Sequence, residues 1–277
     1  MEKLLSVITV TYNARDCLKD CVESVKLLKM KYDKLIEYIV IDGGSTDGTV
    51  EIIEKYRLSG VIDWYVSEKD NGIFDAMNKG INYCTGKYVI IIGSDDFLIP
   101  ENFESVIECL KQKEPDVCYG NDIIVDRDTM KIVRVYNAGN YSRSKVMFGW
   151  HPPHTSTIVR RDILMKYKFD TKYKIAADTE VLWKVLLNST KIHYENKFLT
   201  VFRTGGVSTN GIKNIVKANR EVYEIAVNMH FKVPVVAVVA KLLWKVTQVI
   251  RASLPLRDPD IAFIKKQYLE GKGVKNT

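Results

Sequence analysis

Two adjacent carboxylates, Asp95 and Asp96, follow five apolar or aromatic residues in a row, Tyr88 to Ile92, with only Gly93 and Ser94 between. Such a run reads as a strand buried on both faces, so the acidic pair falls at the carboxyl end of a central strand. Like charges a few ångströms apart repel, and a divalent cation is their natural neutraliser. In open α/β sheets, ligands bind in the crevice beyond the carboxyl ends of the strands. A solvated turn that caps the following helix is the competing reading. Two other apolar runs end in the same kind of group: Leu4 to Thr11 leads into Tyr12-Asn13, and Ile36 to Ile41 leads into Asp42. Three such ends meeting at one sheet edge would form one site, and that convergence weighs more than any of them alone.

The elements that must position these groups follow from periodicity. Leu18, Val22, Val25 and Leu28 have helical spacing after the first strand. Val50, Ile53 and Tyr56 do so after the second, beyond the turn Asp42-Gly43-Gly44-Ser45-Thr46-Asp47-Gly48. Strand, polar turn and helix, repeated, predict parallel strands joined by crossovers. A third strand, Val61 to Ser67, gives way to Glu68-Lys69-Asp70-Asn71-Gly72 and a helix from Ile73 to Cys84 that carries Asp75 and Asn78. Tyr88 to Ile92 is the fourth strand, and a helix over Glu101 to Lys113 follows.

Beyond that helix the pattern changes. Asp116 to Tyr119, Ile123 to Val125 and Ile132 to Val135 read as shorter strands, with Asp126-Arg127-Asp128 as a turn, so the second half should be mixed. Pro152 and Pro153 forbid helix between His151 and His154. A strand over Thr155 to Val159, a helix over Arg161 to Tyr167 and a helix opened by Ala176-Ala177-Asp178 come next. A late strand, Phe198 to Arg203, leads into Thr204-Gly205-Gly206-Val207-Ser208, which has the glycines of a movable loop. From Lys213 the pattern is helical. Over Pro234 to Arg251, Val235, Val238, Val239, Leu242, Val246 and Val249 share one face, and Lys241, Lys245, Gln248 and Arg251 the other. Glu270 to Thr277 is expected to be disordered.

A chain of 277 residues with 46% hydrophobic and 27% charged residues is globular, and long enough for one large α/β domain with an appendage. Its net charge of +7 is spread out and not interleaved with aromatics, which argues against nucleic acid. The five cysteines are scattered through apolar segments and odd in number, so a disulfide framework is not expected, and a reducing compartment is. No apolar run approaches the ~20 residues needed to span a bilayer, and Leu4 to Val10 is too short and β-branched for a signal peptide. The expected location is cytoplasmic.

The segments SVITVTYN, VIDGGSTDGT, EKDNGIFDAMNKG and IIIGSDDF, followed by an Ala-Asp pair opening a late helix, resemble the family-2 glycosyltransferases, and within them the bacterial cell-surface polysaccharide enzymes. The likeness covers about Leu4 to Ser208. It implies an α/β GT-A fold, a Rossmann-like, mixed and mainly parallel sheet flanked by helices, over residues 1–210. Residues 1–122 would form the nucleotide-sugar half and 123–210 the acceptor half, with 211–277 a C-terminal helical extension. It also implies a sugar-nucleotide donor, most simply a UDP-sugar, and a divalent metal, Mn²⁺ or Mg²⁺. Thr11, Tyr12 and Asn13 would line the nucleobase pocket, and Asp42 would hydrogen-bond the base. Lys69, Asp70 and Asp75 match positions near the ribose and donor sugar. Ser94-Asp95-Asp96 takes the place of the Asp-x-Asp metal motif. Its first position is Ser, which leaves Asp96 as the direct ligand and Asp95 for ribose, sugar or the metal. Arg203 and the Gly205-Gly206 loop would close over the diphosphate.

Asp178 matches the catalytic base, which accepts a proton from an acceptor hydroxyl as that hydroxyl attacks the anomeric carbon. Ala177 departs from the family, many of whose members carry Glu there. His154 falls where a residue often faces acceptor or diphosphate, whereas His151 and His193 have no such support. The implied activity is inverting transfer to a lipid-linked or growing cell-surface glycan. A sugar-1-phosphate nucleotidylyltransferase should carry a glycine-rich loop after the first strand, where this chain reads TYNARDCLKD. A sugar- or metal-binding protein without turnover is the reading from another class. The late amphipathic helix, with Trp244 and no acidic residue from Lys232 to Leu256, fits either packing on the catalytic domain or seating on an anionic membrane surface. The second choice would place the protein on the inner face of the cell membrane.

Overall fold

The computed structural model describes residues 3–205, 212–253 and 259–270. Its first half alternates strand and helix: β1 (Leu5–Thr11), α1 (Leu18–Tyr32), β2 (Ile36–Asp42), α2 (Thr49–Leu58), β3 (Trp64–Ser67), α3 (Ile73–Tyr83) and β4 (Tyr88–Gly93). β3, β2, β1 and β4 lie side by side and all run parallel. Their alternating residues feed two cores. Leu5, Val7, Val40, Ile90 and Ile92 pack with Leu18, Val22, Val25 and Leu28 of α1. Ile8, Val10, Ile39, Ile41 and Ile91 pack with Phe74, Met77 and Ile81 of α3.

The second half is mixed. It comprises β5 (Phe97–Leu98), α4 (Phe103–Gln112), β6 (Val117–Val125), β7 (Ile132–Tyr136), α5 (Arg143–Met147), β8 (Thr157–Arg160), α6 (Arg161–Tyr167), α7 (Ala177–Asn188) and β9 (Ile192–Arg203). The sheet continues from β4 through β8, β6 and β9 to β5, with β7 on β6. β8 pairs antiparallel with both β4 and β6, while β6 and β9 run parallel. Where the sequence pattern suggested two short strands, β6 is one strand of nine residues. Its polar middle, Gly120-Asn121-Asp122, interrupts the apolar pattern but is buried. A Cβ at Gly120 would fall 2.7 Å from the Lys197 carbonyl oxygen, so glycine lets β9 cross closely where the register shifts.

α8 (Ile212–Asn228), α9 (Pro234–Ser253) and α10 (Pro259–Ile264) complete the described chain. Val222, Ile225, Phe231 and Ala237 join the core cluster that holds Trp183 of α7. α9 turns a mixed side inward: Ala237 and Gln248 are buried, Trp244 packs on the core, and the ammonium of Lys241 reaches Thr179, which is fully enclosed, while Lys245 and Arg251 are exposed. Val235, Val239, Leu243, Val246, Val249 and Ile250 are about half exposed. All five cysteines are buried free thiols. Among the described residues, no helix is long and apolar enough to cross a membrane.

Candidate active site

The loops after β1, β2 and β3 meet at Gly43, where a Cβ would fall 2.6 Å from Asp70 Oδ2 and 3.4 Å from the Tyr12 ring. Asn13 sits in the left-handed region at φ 47°. Its N–H donates to Ser45 Oγ at 2.7 Å, and its Oδ1 accepts from Thr46 N–H at 3.0 Å, which ties the first loop to the second. Asp42 is fully buried and organises the second loop. Oδ2 accepts from Gly44 N–H (3.1 Å), Ser45 N–H (2.9 Å) and Ser67 Oγ (2.6 Å), while Oδ1 accepts only from Ser45 Oγ (2.5 Å). One lone pair of Oδ1 is therefore left for a ligand donor. The Thr11 hydroxyl is buried without a hydrogen-bond partner, and Tyr12 is 64% exposed, so one unspent polar group and one open aromatic face border this crevice. Asp70 and Asp75 accept from loop N–H groups, of Gly72 and Asn71 respectively. Lys69 is exposed, and its carbonyl accepts from Lys79.

At the end of β4 a Cβ on Gly93 would fall 2.9 Å from Asp95 Oδ1 and 3.1 Å from Asp96 Oδ2, so both carboxylates fold back over a residue that must lack a side chain. Asp96 is 2% exposed and accepts from Arg203 N–H at 2.9 Å. Burial, then the Asp95 charge, then that of Asp122, raise its pKa well above the usual carboxylate value. Ser94 is buried and its N–H donates to the Val10 carbonyl, which locks the acidic turn to β1.

Arg203 is buried, pairs with Asp20, stacks over Phe97 at 5.3 Å and keeps its Nε without a partner. Arg127, in the β6–β7 turn, donates to Cys17 Sγ at 3.4 Å. Burial raises the Cys17 thiol, and the Asp95 charge adds to it, so Arg127 reaches the acidic turn through Cys17. Sequence reasoning missed Arg127, because a charged residue in a hairpin turn carries no signal of where it points. Of the glycine loop, residues 206–208 lie outside the described chain.

These carboxylates fit a divalent cation. Among the described residues, no three or more His, Cys, Asp or Glu side chains converge, so the protein would supply one or two carboxylate ligands. That is the usual arrangement for a cation whose other positions belong to phosphate oxygens and water.

A second cluster forms around Asp178. Ala176, not Asp178, is the N-cap of α7, and Asp178 Oδ1 accepts from Thr179 N–H at 2.7 Å. The preceding backbone is held from α8: Glu221 accepts from the N–H groups of Lys174, Ile175 and Ala176 at 2.8–3.0 Å. His154 packs edge-on against Phe169, its pKa lowered by burial and opposed by Asp178. His151 also belongs here. Its Nδ1 lies 2.8 Å from the Pro152 carbonyl, which can only accept, so Nε2 is the bare nitrogen facing the Thr179 hydroxyl at 3.3 Å. Burial pushes His151 down to about 4, with Lys241 adding and Asp178 opposing. His193 instead faces Glu195 on β9. Asp122 connects the two clusters. It accepts from Thr155 and Ser156, next to His154, and its charge acts on Asp96.

A carboxylate pair thus stands at the end of a parallel half-sheet, with a separate polar cluster across the mixed half. Solved structures of this kind are similar throughout. Staphylococcus aureus TarS 1-349 in complex with UDP-GlcNAc matches at a TM-score of 0.64 and 20% identity, over 81% of this chain and 66% of that one. The Pyrobaculum calidifontis mannosyltransferase PcManGT in complex with GDP-Man and Mn²⁺ matches at 0.63 and 16%, over 96% and 79%. The fold is GT-A.

Residues 6–183 match Glycosyl transferase family 2, and the chain belongs to that family. The glycosyltransferase GlyG of Streptococcus pneumoniae is 34% identical over 122 residues, which are 44% of this chain and 40% of that protein. The match thus spans less than half of GlyG.

Proposed function

We propose that the protein is an inverting, metal-dependent glycosyltransferase that moves a sugar from a nucleotide donor, a UDP-sugar, to a hydroxyl of a lipid-linked or growing cell-surface saccharide. The observation that carries this reading is Asp96: buried beside a second carboxylate, at a strand end where ligands bind, it is a group in want of a cation.

The donor would enter over Tyr12, its base against the ring and its imide hydrogen toward Asp42 Oδ1. The Thr11 hydroxyl and Arg203 Nε are polar groups still unspent there. Asp95 and Asp96 would hold Mn²⁺ or Mg²⁺, which when bound neutralises charge on the diphosphate. Asp178 would take the proton of the acceptor hydroxyl. The acceptor oxygen then bonds to the anomeric carbon as the bond from that carbon to the phosphate oxygen breaks, and the nucleoside diphosphate leaves. One base and one displacement invert the anomeric configuration. His154 would border the acceptor.

The outward apolar face of α9, flanked by exposed Lys232 and Arg251, supports a seat on an anionic membrane surface, where a lipid-linked acceptor would be found. Cosedimentation with phosphatidylglycerol vesicles, lost in Leu243→Glu with Val246→Glu, is the expected outcome; equal sedimentation of both proteins would remove the membrane from this reading.

The test of the donor site is calorimetric titration of UDP, GDP and dTDP, each with Mn²⁺ and again with chelator. UDP should bind in a metal-dependent way, and Asp96→Ala should weaken it by at least ~10-fold. Failure of all three nucleotides with folded protein would favour a member without turnover.

A further inference from the structure

The sequence places Lys241 on the polar face of a late helix, yet in the fold its ammonium points into the protein. Lys241 Nζ donates to Thr179 Oγ1 at 3.2 Å and forms no other hydrogen bond or ion pair among the described residues. Burial lowers its pKa, and the attraction of Asp178 only partly opposes that. A half-buried lysine with one hydrogen-bond partner for its three donors is held at a cost in stability. Such a group, next to a carboxylate in a polar cluster, points to a working role.

The charged and titratable neighbours come from every side. Asp178 lies on α7, His151 on the segment before β8 with His154 beside it, and Lys245 one turn along on α9, where Arg134 of β7, itself facing Asp122, adds its charge. Of the groups that act on Lys241 itself, Asp178 alone is negative. The helix is brought this close by Gly149, at φ 82°, where a Cβ would fall 2.3 Å from the Ala237 carbonyl oxygen. The contact is therefore built into the backbone on both sides.

We propose that Lys241 is a positioning residue of the catalytic centre: from α9 its ammonium holds the Thr179 hydroxyl and so keeps the Asp178 carboxylate aimed at the acceptor. The Thr179 hydroxyl receives from Lys241, and its one proton faces two acceptors, His151 Nε2 at 3.3 Å and Asp178 Oδ1 at 3.5 Å, so all three groups meet at this oxygen. Asp178 Oδ1 is bonded to the backbone and hydroxyl of the same residue, while its Oδ2 has no hydrogen bond among the described residues. This inference rests on the reading of Asp178 as the base, and it makes the C-terminal helices part of the catalytic centre.

The test uses the full chain as wild type, Asp178→Asn, Lys241→Met, Lys241→Arg and the Asp178→Asn, Lys241→Met double variant. Thermal unfolding needs no substrate. Lys241→Met should raise the melting temperature, and should raise it more in the Asp178→Asn background, where the lysine has lost its only countercharge. Equal increments in the two backgrounds would mean that the two charges are not coupled, and the proposal would be overturned.

Release of UDP from UDP-GlcNAc, with and without sugar acceptors, adds the second readout. Lys241→Met should lower kcat by about 10- to 100-fold with UDP affinity unchanged, and Lys241→Arg should recover most of it. Lys241→Met turning over like wild type while Asp178→Asn is inactive would overturn the role of the lysine alone. Asp178→Asn turning over normally would overturn the base assignment beneath it.

Discussion

The two ends of the site are built in opposite ways. At the proposed donor end, Tyr12, Asp42, Asp70 and Asp96 each lie at or within a few residues of the end of their own strand, and short loops bond to one another through backbone N–H groups. At the proposed acceptor end, Asp178, His151 and Lys241 come from three separate segments, joined through one hydroxyl. The electrostatics are opposed as well. Burial pushes a carboxylate up at the donor end, so it wants a cation, while at the acceptor end burial pushes imidazoles and an ammonium down. A local scaffold can change its loops one at a time. An assembled one depends on every element that reaches it.

The sharpest way to separate the ends is Asp178→Asn. Transfer should fall by about 10²- to 10⁴-fold, as for loss of a general base, while calorimetry finds UDP binding intact. Loss of nucleotide binding in that variant would mean that the two ends are not independent. Next in size is Gly149→Ala, which adds a Cβ against the Ala237 carbonyl at a positive φ. Denaturant unfolding should report a loss of about 2–4 kcal/mol. The activity of the folded fraction should also fall, because α9 carries Lys241. Donor binding per folded molecule should not change, and an equal loss at both ends would break the comparison.

The smallest effect is the pH dependence of stability without metal, where the two ends oppose each other. Asp122, raised to about 7, contributes stability that is present below the unfolded carboxylate value of about 4 and lost as pH rises to 7. Asp96, also raised, has the same sign. His151, lowered to about 4, contributes stability that is present above about 6.5 and lost as pH falls toward 4. Wild type should therefore vary little between pH 4 and 7. Melting curves of Asp122→Asn should show stability falling more steeply on acidification, and those of His151→Gln less steeply. Parallel curves for all three proteins would contradict the opposed environments.

The same contrast explains what could be read in advance. α6 begins and ends where the spacing predicts, and β1 to β4 do so within a few residues, because each run buries its own periodic face against its neighbours. β6 was harder: its polar centre is a break in pattern whose cause, the close crossing of β9 over Gly120, is invisible along the chain. Arg127 and His151 had no local signature either. For α9 the periodicity gives the correct helix but not its inward side, which joins Ala237, Lys241, Trp244 and Gln248 while Lys245 and Arg251 stay exposed. Lys241 and Gln248 turn inward because Thr179 and Arg134 offer partners there, leaving the valines outside.

By itself, then, the sequence determined the strand–helix alternation, the acidic turn after β4 and the groups at the strand ends, since these depend on residues within one turn or strand of each other. Only the tertiary structure decided which distant groups share a hydroxyl with Asp178, which carboxylate loses its water, and which face of α9 is buried. Those outcomes depend on desolvation and on partners brought from more than fifty residues away. No local pattern encodes them.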